Sequence, residues 1–90
     1  MNYNNVTLAA GVWTNLNALG GITTGNAMFV KNLGIVRVRI MQSATQPTGV
    51  VGDVLTSLSL PYAHKDIAAG GDDVWVMATH ACEIVYAEVV

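Results

Sequence analysis

The sequence predicts an all-β fold, a small antiparallel β-sandwich or jelly-roll-like barrel. Six to eight short strands and at most one short helical turn are expected in a single domain, 1–90. Three observations carry this expectation. Val, Ile and Thr, the β-branched residues that fit a pleated surface, supply 26 of the 90 residues. Nine glycines fall where strands should end. From Ile35 to Gln42 the chain alternates, with Val36, Val38 and Ile40 on one face and Ile35, Arg37, Arg39 and Met41 on the other. Period-2 alternation with charge on one side marks a half-buried strand.

The remaining elements follow in order. Val6-Thr7-Leu8 is a short alternating first strand. Trp13, Leu16 and Leu19 recur at helical spacing before Gly20-Gly21, which permits one or two helical turns with a glycine stop, although three anchors on a wide loop would read the same. Ala27–Lys31 is the second strand, and Asn32-Leu33-Gly34 turns the chain into the alternating strand described above. Gln46-Pro47-Thr48-Gly49 breaks the pattern. A strand from Val54 to Leu60 follows, ended by Pro61. Ala69-Gly70-Gly71-Asp72-Asp73 is the strongest turn signal, separating Lys65-Asp66-Ile67 from the strand Val74–Ala78. The last strand runs from about Cys82 to Val90, ending on the apolar pair Val89-Val90 with no charged tail to discourage edge pairing, and a neighbouring subunit covering that edge is one explanation.

Composition excludes several classes. The chain is 52% hydrophobic and 11% charged, against about 25% charged for an ordinary soluble domain. That excludes a disordered tail. Only Lys31, Arg37, Arg39 and Lys65 are basic and the net charge is −2, so no phosphate-tracking patch exists and no nucleic-acid partner is expected. No apolar run approaches the length of about 20 residues that crosses a bilayer, so no membrane partner is expected either. Met1-Asn2-Tyr3-Asn4-Asn5 lacks the basic and apolar regions of a signal peptide, predicting synthesis and residence in the cytoplasm before assembly. The lone Cys82 cannot form an intrachain disulfide.

No constellation of catalytic or metal-ligating residues emerges, and no cofactor is expected. His64 and His80 have no partners at zinc-ligand spacing, and Cys82, two residues from His80, reads as a small buried hydrophobe. Asp72 and Asp73 read as turn residues that hydrogen-bond their own backbone. Ser43, Ser57 and Ser59 lie in no nucleophile-elbow pattern. Asn5-Val6-Thr7 matches a glycosylation acceptor, which has no weight without a secretion signal. Trp13, Trp75, Tyr3, Tyr62 and Tyr86 leave open an aromatic strip of the kind that binds sugars, although packing is the commoner use of such rings.

The most informative feature is an absence of charge. From Met1 to Val30 no side chain is charged, and the polar groups are amides and hydroxyls such as Asn4, Asn5, Asn15, Asn17, Thr23 and Thr24. A solvated surface carries interspersed charge, so this segment is expected to pack on the core or on a neighbouring subunit. Trp13, Leu16, Arg37, Arg39, Trp75 and Tyr86 are the candidate interface residues. Arg37 and Arg39 share a strand face, either solvated or paired with acidic groups of a neighbour. Trp75 faces away from Val74 and Val76. If those valines line the core, Trp75 must be covered by a partner or by the Trp13 segment; if Trp75 is core, the valines face out, and either way both faces of the strand are buried.

The order of segments carries a resemblance. Trp13-Thr14-Asn15-Leu16 is followed by Gly21-Ile22-Thr23-Thr24-Gly25, Val30-Lys31-Asn32-Leu33-Gly34, Gln46-Pro47, a glycine-rich turn, Asp73-Val74-Trp75-Val76 and Ile84-Val85-Tyr86-Ala87-Glu88. This pattern resembles the small β-sandwich virion proteins of tailed bacteriophages and prophages, which decorate capsids or sit on head and tail structures. The resemblance implies an N-x-G turn between two early strands and a V-W-V strand after a glycine-rich hairpin turn. It also implies a homo-oligomer, a trimer at capsid three-fold positions, docked on the major capsid protein or other virion proteins. A non-catalytic structural role in the virion is the expected function. A carbohydrate-binding or host-adhesion module of a phage fibre or tail is the alternative, and a small enzyme the third reading.

Overall fold

Alternation sorts the apolar residues to one side of each strand, and two such half-apolar sheets bury their faces against each other. The computed structural model describes residues 3–89. Among the described residues it has eight strands and one short helix: β1 (Tyr3–Leu8), β2 (Thr14–Asn15), α1 (Leu16–Gly20), β3 (Met28–Asn32), β4 (Val38–Gln42), β5 (Asp53–Leu55), β6 (His64–Ile67), β7 (Val74–Ala78) and β8 (Cys82–Glu88). The first sheet has the order β1-β8-β3-β6 and the second β2-β7-β4-β5. Every pairing within them is antiparallel.

The core lies between the sheets. Leu8, Met28, Val30, Ile84 and Tyr86 face inward from the first sheet, and Val38, Ile40, Leu55, Val74 and Val76 meet them from the second. Each fully buried side chain of this size contributes about 1.5–3 kcal/mol relative to exposure. Leu16 and Ile22 close one end of this core.

Two buried asparagines hold the loops where ladder bonds stop. Asn32 accepts the Gly34 N–H through Oδ1 at 2.8 Å, and its amide donates to the carbonyls of Val36 at 2.6 Å and Thr56 at 3.0 Å. Asn17 accepts the Val74 N–H at 2.8 Å and donates to the Ile22 carbonyl at 3.2 Å. A buried polar side chain is tolerated only when bonded in this way.

The structure corrects several expected bounds. The strand expected from Ile35 begins at Val38. Asn32 grips both Gly34 and Val36 and bends the chain, leaving Ile35 91% exposed. The strand expected over Val54–Leu60 ends at Leu55. Beyond it, the N–H groups of Thr56, Leu58 and Leu60 donate to the carbonyls of Tyr62, Gly34 and Ser57, so they join no ladder. The helical turn forms with its stop at Gly21, whose φ of 65° suits glycine. Leu19, however, faces solvent. The Gly70-Gly71 turn is no hairpin, because β6 and β7 belong to different sheets. Finally, β8 lies between β1 and β3, so the last strand is interior and needs no neighbour to cover an edge. Val90 lies outside the described residues.

Candidate interaction surfaces

The outer face of the second sheet carries Trp75 and Met77 on β7, with Arg39 and Met41 opposite them on β4. Val74 and Val76 line the core, so Trp75 points outward. Its cover comes from its own chain. The segment 43–52, which joins β4 to β5, is held by both indoles: Trp75 Nε1 donates to the Ser43 carbonyl at 3.0 Å and Trp13 Nε1 to the Gly49 carbonyl at 3.1 Å. Arg39 adds a long bond to the Gly52 carbonyl. Gly52 (φ 89°) passes so close to the Ile40 carbonyl that a Cβ would stand 2.7 Å from that oxygen. Trp13 and Met77 are consequently buried and Trp75 half-buried.

The six candidate interface residues therefore separate. Leu16 and Tyr86 lie inside the protomer's own core, where they have no surface to offer. Trp13, Trp75 and Arg39 hold the 43–52 segment. Arg37 is exposed beside the start of β4. The one ion pair among the described residues is Lys65 Nζ to Asp53 Oδ2 at 2.6 Å, which joins edge strands β6 and β5 across the gap between the sheets. That bond and the charge of Lys65 hold the Asp53 carboxyl below its ordinary range.

The outer face of the first sheet has no such cover. Tyr3, Ala87, Phe29 and Asp66 form one row across β1, β8, β3 and β6. The Tyr3 and Phe29 rings meet edge-to-face at 6.3 Å, and Ala87 is fully buried in the row between them. Phe29 also packs on the His64 ring at 5.7 Å. An apolar groove of about 490 Å³ runs past Tyr3, Ala27, Phe29, Ala68 and Val89. Neither Tyr3–Phe29 contact nor groove was visible in sequence, because β8 comes between the two strands only in the folded sheet. Ile35, Leu58, Leu60 and Tyr62 are also exposed, and the Leu58 N–H donates to the Gly34 carbonyl at 3.0 Å.

Other singled-out residues have local roles. Asp73 does not bond its own backbone as expected. Its carboxylate instead accepts from the Thr24 hydroxyl and the Asn15 amide, which together lower its pKa, the Thr24 bond most. Asn15 also caps α1, accepting the Ala18 N–H. Cys82 is buried with its thiol on Asn32 Oδ1 at 3.2 Å, and burial pushes its pKa up. His80 is exposed and so does not share Cys82's environment. Among the described residues no group of three or more His, Cys, Asp or Glu side chains could hold a metal ion.

The charge-free first third, expected to pack on the core or on a neighbour, is largely solvent-facing within this single chain. Tyr3, Asn4, Asn5, Thr7 and the run Ala9–Val12 are exposed, as are Ala18, Leu19, Thr23 and Thr24. No protein-family model, no curated protein and no solved structure matches this chain.

Proposed function

We propose that this chain is a non-enzymatic structural subunit that self-associates and docks on other proteins of a phage virion, as a capsid decoration or head/tail accessory protein. The observation that carries the self-association is the exposed, uncharged surface of residues 3–30, with Tyr3 62% and Leu19 53% exposed. Solvated surfaces carry interspersed charge, and a neutral, partly apolar one marks a contact. The virion setting rests on the sequence resemblance. Analytical ultracentrifugation of the isolated protein tests the first part: a species heavier than the 9.5 kDa protomer is expected, and a monomer at high micromolar concentration overturns it. The coding context tests the second. Neighbouring capsid, portal or tail genes support it, and a metabolic operon sinks it.

The glycan-binding alternative draws on the Tyr3, Phe29 and His64 rings beside the apolar groove. Tyr3 and Phe29 meet at 86°, which presents an edge against a face rather than the coplanar strip on which a sugar ring stacks. A saccharide titration that shifts the Tyr3 or Phe29 ring resonances would favour this alternative over the structural role.

A further inference from the structure

The four strand edges of the sandwich are not equally protected. An exposed edge presents a row of unpaired N–H and C=O groups, and natural sheets blunt it with short strands, charge, proline or cover. On one side of the sandwich the β6 edge carries His64, Lys65 and Asp66, and the β5 edge is three residues long and begins at Asp53. The Lys65–Asp53 ion pair ties these two edges to each other. The β2 edge is only two residues long and runs directly into α1. The fourth edge, β1, is six residues of Tyr3-Asn4-Asn5-Val6-Thr7-Leu8 with no charge, no proline and no glycine. Among the described residues no strand pairs with its side away from β8.

We infer that β1 is the self-association edge: two copies pair their β1 strands antiparallel about a two-fold axis normal to the first sheet, making one continuous eight-stranded sheet. This inference rests on the self-association proposed above and names its surface. Backbone complementarity restricts the occupant to an extended strand. A second β1 is the strand on this molecule that is long, uncharged and unpaired, so two copies meet without opposing like charges. Identical strands related by a two-fold close as a dimer, not as the trimer that the resemblance implies.

The pleat restricts the register. Directly opposed residues must lie on the same sheet face. Tyr3, Asn5 and Thr7 share the outer face with Phe29, while Val6 and Leu8 face the core. Centring the axis on Asn5 opposes Tyr3 to the partner's Thr7 and covers the exposed Tyr3 ring. It also sets two Asn5 amides face to face, and an amide both donates and accepts, so each can satisfy the other.

The test uses the intact chain in analytical ultracentrifugation at low salt. The wild type is expected at twice the 9.5 kDa protomer mass. Asn5→Lys and Asn5→Asp each place like charges at the axis. Each alone should sediment as a folded protomer, with an unchanged circular dichroism spectrum, and an equimolar mixture should recover the dimer. Asp66→Lys, at the opposite edge of the same sheet, should leave the dimer intact. A wild-type trimer, a dimer that survives Asn5→Lys, loss of the dimer in Asp66→Lys, or a charged mixture that stays monomeric overturns the β1 edge while leaving self-association standing. A wild-type monomer throughout the micromolar range overturns both.

Discussion

The two outer faces of the sandwich solve the same problem differently. On the second sheet the chain folds its own 43–52 segment over the aromatic face and ties it down with two indole N–H bonds. On the first sheet Tyr3, Phe29 and His64 stand on an open face beside the uncapped β1 edge. The free energy gained by covering apolar surface scales with its area, so a contiguous patch offers a partner more than a scattered residue does. A face that the chain covers itself is a stability feature. A face left bare is where a partner gains most by binding.

The contrast predicts unequal responses to truncation. The largest loss is expected on the covered face. Trp13→Ala removes a buried indole and its bond to the Gly49 carbonyl, one of the two indole bonds that hold the 43–52 segment. Chemical denaturation should show a loss of about 3–5 kcal/mol, enough to unfold much of a small domain's stability. A loss below about 1 kcal/mol would mean that the 43–52 segment is not a structural cover.

A smaller loss is expected on the bare face. Phe29 is half-buried and touches the Tyr3 and His64 rings rather than the core. Phe29→Ala should cost the isolated protomer about 1–2 kcal/mol, from cross-strand ring contacts and partial burial. A loss equal to that of Trp13→Ala in the same denaturation series would erase the distinction between the faces.

The smallest effect concerns the seam that joins β7 to the first third. Asp73 accepts from Thr24 and Asn15, and folding lowers its pKa. A carboxyl so depressed adds stability above its unfolded pKa, and that stability drains as pH falls through the folded value. The acid limb of a pH–stability curve should therefore be shallower in Asp73→Asn than in the wild type. An identical limb would show that these bonds add nothing beyond what water supplies.

Some of this was legible in advance for particular reasons. β7 was readable as Val74–Ala78 because Gly70-Gly71 and the apolar run both mark its start locally. The interior position of β8 was not, since its partners are β1, from the other end of the chain, and β3. For the same reason Tyr86 was readable as a core or interface anchor, but not as which of the two. Arg37 and Arg39 were readable as outward-facing, while the bond from Arg39 to the Gly52 carbonyl depended on where the 43–52 segment returned.

The sequence by itself determined the β class, the inward side of β4, the glycine stop of α1 and the neutrality of the first thirty residues, because propensity, pleat and charge are properties of neighbours in the chain. Only the tertiary structure decided which sheet each strand joined, that Trp75 would be covered by residues 43–52, and that β1 rather than β8 would stand at an edge. Those outcomes depend on pairings between distant segments, whose free energy comes from register and burial across the whole sandwich. No local window contains that information.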